Sequence, residues 1–284
     1  MQTIEKGVLY IVATPIGNLA DLSQRAMDVL AQVDWVAAED TRHSGKLLQH
    51  LAINKRLISL HDYNELARAE VLLQQLKNGE SGALISDAGT PLISDPGYHL
   101  VKRLRDEGVE VRPIPGASAL IAALSVAGMP TDRFCFEGFL PAKSQKRLDQ
   151  LRGLSDETRT LVFYESPHRL IDCLDALIQV FGDQRRIFIA REMTKQYEQF
   201  YADSLGGALD YFSLNADRVR GEFVVVLAGA DSSEQALDEQ AWDRLIHVLL
   251  AQSLPVKQIA QIVAEYFSVK KNQVYPRVLE LKTE

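Results

Sequence analysis

Three short segments in the first 120 residues combine glycine, proline and polar residues in a way that suits ligand binding. They read ATPIGNL (13–19), SDAGTPLISDPG (86–97) and PIPGASA (113–119). Glycine lets a backbone approach a ligand closely, and proline holds a loop in one conformation. Asp87 directly follows an apolar run, so its carboxylate could accept hydrogen bonds from hydroxyl or amino groups of a ligand. Asp95 could do the same, or it could cap the following helix.

Three further segments place several charged residues directly after apolar ones. They read AAEDTRHS (37–44), FYESPHRL (163–170) and AREMTKQYE (190–198). A capped helix start would explain Asp40 in the first segment, and Ser166 with Pro167 makes a good helix start in the second. The third segment could be the solvated end of a hairpin. The remaining acids and bases are candidates for proton transfer or anion binding.

The sequence lacks the short motifs of several common enzyme classes. It contains no G-x-x-x-x-G-K-[ST] P-loop and no G-x-S-x-G nucleophile elbow, and its first loop has no G-x-G-x-x-G fingerprint. The two cysteines, Cys135 and Cys173, cannot form a zinc site alone and are interpreted as buried free thiols. The histidines are scattered, so we expect no metal site.

The elements that would position these segments alternate between strands and helices. Apolar, β-branched runs predict strands at 8–13, 35–38, 82–86 and 109–112, with amphipathic helices between them. This alternation predicts a mostly parallel sheet covered by helices on both faces. Ligands bind such a sheet beyond the carboxyl ends of its strands, where all three glycine- and proline-containing segments fall.

Turn residues and a polar linker predict how the chain is divided. Turn signals near 128–134 place a first α/β domain at 1–130 and a second, with a mixed sheet, at 131–230. The polar stretch 229–240 is interpreted as a linker, and apolar spacing beyond it predicts a helix-turn-helix-like tail at 234–284. Pro276 is then expected in the first turn of the last helix.

The composition is that of a soluble globular protein, with 46% hydrophobic and 24% charged residues. The longest run of small apolar residues, 116–129, is too short to span a bilayer, and the first residues lack signal-peptide features. We therefore expect a cytoplasmic protein that does not act at a membrane. The net charge of −7 argues against a surface that binds nucleic acid throughout, although residues 254–284 hold five Lys or Arg against three Asp or Glu.

The chain resembles the branch of the tetrapyrrole methylase superfamily that modifies ribosomal RNA. The resemblance lies in VATPIGNLADLS, AEDTRHS, ISDAGTPLISDPG, PGASA, FYESPHRL and AREMTK, which occur in that order and spacing. It implies two α/β domains with a ligand cleft between them, a homodimer, and S-adenosylmethionine as the methyl donor. It also implies 2′-O-methylation of a cytidine ribose in the decoding region of small-subunit ribosomal RNA, within an assembled or nearly assembled subunit.

The resemblance also assigns residues to the methyl donor. By position these are Pro15, Asp87, Ala88, Gly89, Gly116, Ala117, Ser118, Ser166, Pro167, Glu222 and Phe223. The first loop departs from the G-x-G-x-G-D pattern of the tetrapyrrole-modifying relatives, so no catalytic role is carried over to an acid in that loop. The departure favours RNA over a corrin or porphyrin as the substrate.

Methyl transfer to a hydroxyl group requires alignment and a nearby base or cation. The catalytic candidates are Asp40, Glu165 and Lys195, and the sequence does not choose among them. The candidates for binding RNA are Arg42, His43, Arg169, Lys257, Lys270 and Lys271.

Two other classes of function remain open from the residues alone. One is a methyltransferase of the same superfamily that acts on a tetrapyrrole or a protein side chain. The other is a non-catalytic module that binds an adenosyl ligand. The basic tail favours RNA because a small-molecule methylase has little use for it, but it could also serve to pack a dimer or to stabilise the chain.

Overall fold

The computed structural model describes residues 4–230, 239–252, 254–267, 269 and 271–283. These residues fall into two compact units. The first contains residues up to 152 together with 160–228, and the second contains 153–159 together with 229–284. The boundary that we predict near residue 130 lies inside the first unit, and the division into three domains stays a prediction.

The first sheet of the first unit is entirely parallel, with the strand order β3-β2-β4-β1-β5. Its strands are β1 (Val8–Val12), β2 (Trp35–Ala38), β3 (Arg56–Ser59), β4 (Gly82–Ile85) and β5 (Glu110–Ile114). The helices that alternate with them are α1 (Gln24–Gln32), α2 (Thr41–His50), α3 (Glu65–Lys77), α4 (Tyr98–Asp106) and α5 (Ala119–Val126).

Helices cover this sheet on both faces, as its apolar strands predict. Successive residues of a strand point to opposite faces. Val36 and Ala38 of β2 therefore pack with α1 and α2, while Trp35 and Ala37 pack with α3 and α4. Gly82 of β4 makes room for the buried Trp35 ring, since a Cβ atom there would lie 2.2 Å from it.

The second sheet of the first unit is mixed, with the order β6-β7-β10-β8-β9. Its strands are β6 (Phe134–Phe139), β7 (Thr160–Glu165), β8 (Arg186–Arg191), β9 (Gln199–Ser204) and β10 (Phe223–Leu227). β6 and β7 are parallel, and the other three neighbouring pairs are antiparallel. The accompanying helices are α6 (Ser144–Arg152), α7 (Leu170–Phe181) and α8 (Leu205–Leu214).

One apolar cluster joins the first loop and α5 to the second sheet. Leu120 and Ala123 of α5 pack against Val162, Phe188 and Val224 of the second sheet, and Ile16 from the first loop joins the same cluster. The predicted pair of α/β layers is therefore confirmed, and the first loop is held directly against the second sheet.

The second unit contains three helices among its described residues: α9 (Glu239–Ala251), α10 (Val256–Tyr266) and α11 (Lys271–Thr283). They enclose a separate core that includes Trp242, Ile246, Ile259, Val263, Val274 and Val278. Arg277 joins α11 to α9 by donating two hydrogen bonds to the Asp243 carboxylate, at 2.9 and 2.7 Å. Within the described residues, every helix is too short or too polar to span a membrane.

The expected position of Pro276 is wrong. Pro276 lies inside α11, past its first turn, and the helix continues to Thr283. A proline there removes one backbone hydrogen bond. The helix continues because Val274 and Val278, on either side of the proline, are both fully buried in the core of this unit.

Candidate functional site

The first two glycine- and proline-containing loops are joined by backbone hydrogen bonds. Thr14, directly after β1, and Gly89, after β4, bond to each other through both amide groups, at 2.8 and 3.1 Å. The buried Thr14 hydroxyl also donates to the Ser86 carbonyl, at 3.2 Å. In the third loop, the Ala117 carbonyl accepts a hydrogen bond from the Thr90 hydroxyl, at 3.0 Å. The three loops therefore form one structure at the carboxyl ends of the strands.

The 86–97 loop is held in an unusual backbone conformation. Leu92 and Ser94 have φ values of 72° and 65°, in the left-handed region that side chains rarely adopt, and Gly89 has a φ of 83°. Such strain persists only where the surrounding structure fixes it, and it is concentrated at functional sites. The loop is thus preorganised rather than a long turn between two elements.

A first cavity of ≈ 420 Å³ opens between these loops and the second sheet. The 87–90 segment lines one side, and residues 164–167 and 221–224 line the other. It brings together eight of the residues assigned to the methyl donor: Asp87, Ala88, Gly89, Ser118, Ser166, Pro167, Glu222 and Phe223. The other three do not line this cavity. Pro15 faces a second cavity, Gly116 packs on Ala13, and Ala117 supports Thr90.

Five carboxylate side chains line the first cavity: Glu39, Asp87, Asp95, Glu165 and Glu222. Burial raises the pKa of Asp95 to about 6; nearby Glu39 and Asp87 add to this rise, and a hydrogen bond with Ser86 opposes it. Burial and the Asp87 charge likewise raise the pKa of Glu39. Asp95 does not cap α4, which starts after Gly97 without any side-chain cap. Neighbouring negative charges that raise the pKa of Glu39 and Asp95 favour a cationic ligand, because a positive charge relieves the repulsion.

A second cavity of ≈ 620 Å³ lies beside the first. Four residues line both cavities and form the wall between them: Ile16, Asp87, Ala88 and Glu222. The rest of the second cavity is formed by the first loop, by one face of α2 and by Lys195. Predicted residues Pro15, His43 and Lys195 are therefore brought together at this place.

Lys195 is held by a strained turn between β8 and β9. Glu192 and Thr194 have φ values of 51° and 66°. The Lys195 Nζ donates to the Glu192 Oε1 at 2.8 Å and to the Glu222 Oε2 at 3.1 Å. Burial lowers the pKa of Lys195, but these two hydrogen bonds outweigh it and raise the pKa overall. The side chain is therefore a fixed ammonium group and not a proton acceptor.

The first loop has no space for a side chain where it contacts this turn. A Cβ atom on Gly17 would lie 2.4 Å from the Lys195 Cγ and 2.8 Å from the Thr194 Oγ1. Glycine at this position therefore permits the close contact between the first loop and the lysine.

Asp40 and Arg42 have local partners at the start of α2. The Asp40 Oδ1 accepts a hydrogen bond from the Arg42 amide at 2.8 Å, so Asp40 caps the helix. The Arg42 guanidinium, 90% exposed, pairs with the Asp40 carboxylate at 3.2 Å, and its hydrogen bond lowers the pKa of Asp40. A carboxylate with a lowered pKa is a weak base. A catalytic role for Asp40 and an RNA contact for Arg42 stay predictions.

Glu165 lines the first cavity, and Arg169 lies beside it. The Glu165 side chain is fully buried, and its Oε1 accepts a hydrogen bond from the Ser166 amide at 2.8 Å. The Arg169 Nε lies 3.4 Å from the same oxygen, and its Nη2 donates to the Leu140 carbonyl. These contacts fix Ser166 and Pro167 at the cavity lip. Proton transfer by Glu165 and phosphate binding by Arg169 stay predictions.

The structure describes two of the three tail lysines that are predicted to bind RNA. Lys257 is exposed at the start of α10, and the Lys271 Nζ donates to the Gln261 Oε1 at 3.0 Å. Lys270 lies outside the described residues.

Sequence reasoning missed Lys46 and His50, which line the second cavity from α2. The spacing of His43, Lys46 and His50 places all three on one face of a helix. That spacing was the available signal, but a polar helix face is usually just solvated.

The fold and the loops around the first cavity define an α/β protein of the tetrapyrrole methylase type. The sequence profile described as "Tetrapyrrole (Corrin/Porphyrin) Methylases" matches residues 8–209, and the profile described as "RsmI C-terminal HTH domain" matches residues 235–282. The second match confirms the predicted helix-turn-helix character of the tail.

Two curated relatives are similar over nearly their whole length. Proteins named ribosomal RNA small subunit methyltransferase I, from Escherichia coli O157:H7 and Haemophilus influenzae, are 51% and 50% identical to this chain. The alignments cover 97% and 95% of this chain and 96% and 95% of the relatives. The chain belongs to the ribosomal RNA small subunit methyltransferase I family of the tetrapyrrole methylases. It is a methyltransferase, and its family implies S-adenosylmethionine as the methyl donor.

Solved structures of lower identity share the fold. A cobalt precorrin-4 methyltransferase matches with a TM-score of 0.58 and 15% identity, over 78% of this chain and 95% of that one. A diphthine synthase matches with a TM-score of 0.58 and 17% identity, over 78% and 90%. At these identities the likeness shows the fold alone.

The residues of the first cavity fit S-adenosylmethionine. This molecule carries a positive sulfonium and a positive ammonium against one carboxylate, so its net charge complements Glu39, Asp87 and Asp95. Gly89 presents bare backbone at the cavity wall, and a Cβ atom there would point toward Ile16 at 3.4 Å. A mostly apolar lining that includes Phe223 and Val224, with a few polar groups, is typical of a site for a small organic ligand.

Proposed function

We propose that the protein transfers a methyl group from S-adenosylmethionine to the ribose 2′-hydroxyl of a cytidine in the decoding region of small-subunit ribosomal RNA. The observation that carries this proposal is the pair of cavities divided by a wall of four shared residues. The first cavity suits the donor, and the second, with Lys46 and Lys195 in its lining, suits a nucleotide. A reacting hydroxyl would enter from the second cavity and meet the donor's methyl group where the two cavities adjoin, beside these shared residues.

The chain's own groups perform binding and alignment. S-adenosylmethionine, when bound, supplies a methyl group already activated on its sulfonium, so no metal is needed. Asp87 and the 88–90 backbone would hold the donor in the first cavity, with Ser166 and Pro167 on the opposite side. Fixing two reactants in line removes several kcal/mol of entropic cost, roughly up to 7–11 in the best-oriented systems.

Lys195 is the group best placed to assist the reaction. Its ammonium lies at the second cavity and is hydrogen-bonded to Glu222 of the shared wall. A fixed cation stabilises the negative charge that develops on a hydroxyl oxygen as it attacks. Glu192 and Glu222 hold the ammonium in position, so we assign Lys195 the catalytic role and leave the proton acceptor to Asp40, Glu165 or solvent.

The tail and a second copy of the chain complete the proposal. We infer that the helix-turn-helix unit contacts ribosomal RNA through Lys257 and Lys271 and through Lys270. The enzyme acts in the cytoplasm as a homodimer on an assembled or nearly assembled small subunit.

The alternative substrates are less well supported. The fold is shared with a cobalt precorrin-4 methyltransferase and a diphthine synthase, so the fold does not discriminate between substrates. The two curated relatives match nearly the whole chain, the tail profile matches residues 235–282, and both favour RNA. Family membership also disfavours a non-catalytic module.

The proposed function is tested by mass mapping of small-subunit ribosomal RNA from a strain that lacks the gene. We expect one cytidine in the decoding region to lose a methyl mass on its ribose and to regain it when the protein is restored. An unchanged RNA with and without the protein would exclude this substrate.

Replacing Asp87 with Ala is expected to weaken S-adenosylmethionine binding. Loss of one hydrogen bond to a charged group costs about 1.5–3 kcal/mol, which is roughly a tenfold to hundredfold loss of affinity. Calorimetry measures the affinity, and thermal unfolding checks that the variant is folded. Asp106→Ala, on the exposed side of α4, is the matched control and should bind the donor normally. Unchanged affinity in a folded Asp87 variant would remove this residue from the donor site.

A further inference from the structure

One face of α2 places a lysine and two histidines along the second cavity. His43, Lys46 and His50 follow one another at spacings of three and four residues, so they lie on the same side of the helix. All three line the second cavity, and Leu47 lies between them. Ser44 and Leu48, on the other side of α2, are buried against the first sheet.

The charge of Lys46 is not compensated inside the described part of the chain. Lys195 is paired with Glu192 and Glu222, whereas Lys46 has no ion pair or hydrogen bond with any described residue. The two carboxylates that line the second cavity, Asp87 and Glu222, both belong to the wall shared with the first cavity. The second cavity therefore has an acidic inner wall and a cationic α2 side.

A ribonucleotide also has two different polar groups close together, a hydroxyl and a phosphate. The 2′-hydroxyl and the 3′-phosphate sit on neighbouring carbons of one ribose, so a 2′-hydroxyl at the shared wall brings its phosphate into the same cavity. A phosphate there needs cationic partners, and the apolar side chains of Leu19 and Leu47 offer contact area for the sugar or base.

We propose that the α2 face, with Lys46 at its centre and His43 and His50 beside it, binds the backbone phosphate adjoining the target ribose. This proposal rests on the proposed function and adds the residues that hold the acceptor strand. Lys46 and His50 act on binding, whereas Lys195, at the shared wall, acts on the reacting hydroxyl.

The test uses full-length protein and small subunits purified from the strain that lacks the gene. Single-turnover methylation is measured over a range of subunit concentrations for wild type, Lys46→Ala, Lys46→Ala/His50→Ala and Lys46→Arg. Lys102→Ala is the matched control, because Lys102 is an exposed lysine on α4, which packs on the opposite face of the first sheet. Calorimetry measures donor affinity for each variant.

Lys46→Ala is expected to raise the half-saturating subunit concentration roughly tenfold, the size of one lost hydrogen bond to a charged group. The saturating rate and the donor affinity should stay as in wild type. The salt dependence of binding should flatten by about 0.7 log units per log unit of salt. The double variant should weaken binding further, and Lys46→Arg should restore most of it because it keeps the charge.

Two results would overturn the inference. One is a double variant that matches Lys102→Ala in half-saturation and salt slope. The other is a loss of donor affinity in Lys46→Ala, which would assign the α2 face to the donor. Failure of the wild type to methylate these subunits would instead contradict the proposed function, so the two failures are distinguishable.

Discussion

Lys195→Ala is expected to lower the methylation rate at saturating substrate by about 10²–10³-fold, the loss typical of removing one preorganised group that stabilises developing charge. The ammonium is fixed by two hydrogen bonds, and these raise its pKa overall despite partial burial. The group therefore stays charged through neutral and mildly alkaline pH. The rate in wild type should show no fall there that arises from deprotonation of this lysine. Single-turnover kinetics with saturating donor and subunits measures the effect.

The control must distinguish loss of the catalytic charge from loss of local structure, because Lys195 also pairs with Glu192 and Glu222. Lys195→Arg keeps the charge with a different shape and should recover part of the rate. Calorimetry and thermal unfolding must accompany the rate measurement, since the lost hydrogen bond to Glu222 reaches the wall shared with the first cavity. A Lys195→Ala protein that is folded, binds donor and methylates at the wild-type rate would rule out this catalytic role.

A protein truncated after Gly229 is expected to lose most activity on ribosomal substrate while it keeps its fold and its donor affinity. Both sheets are complete by Leu227, and the residues that line the two cavities all precede residue 225. If the tail contacts two or three phosphates, its removal should flatten the salt dependence of RNA binding by roughly 1.4–2.1 log units per log unit of salt. Binding of the protein to small subunits over a salt series measures this.

Point changes in the tail provide the matched controls for the truncation. Lys270→Ala with Lys271→Ala should give part of the loss with normal donor affinity, and Lys257→Ala should add to it. If the truncated protein methylates at the full-length rate with the same salt slope, the tail is structural and the RNA-binding assignment is wrong.

The positions of the ligand loops could be predicted from the sequence because they depend on local chemistry and one rule of sheet topology. Glycine and proline mark the loops, alternating strands and helices predict a parallel sheet, and ligands bind at the carboxyl ends of its strands. Asp87 and Gly89 lie where this reasoning expects them. The assignment of these residues to the donor nevertheless stays a prediction.

Features that depend on distant packing could not be predicted. β3 is a short strand, and its residues are only partly buried, so RLIS carries little strand signal. Lys46 and His50 line a cavity only because the first loop and Lys195 complete its lining. Pro276 was misplaced because the burial of Val274 and Val278 in the tail core outweighs a local rule about proline.

The strand order of the second sheet has a consequence for synthesis. β10 is the last of its strands in sequence, yet it lies between β7 and β8, which end 58 and 32 residues before it begins. During translation, the second sheet can form only as two separate strand pairs, β6 with β7 and β8 with β9, until β10 has left the ribosome. Pairing of β10 with both β7 and β8 is long-range in sequence and is therefore slow. Glu222 and Phe223, which line the first cavity, arrive with that strand. A nascent chain therefore completes the first cavity only after about four fifths of it has been made, so a ligand of that cavity cannot help the earlier part to fold.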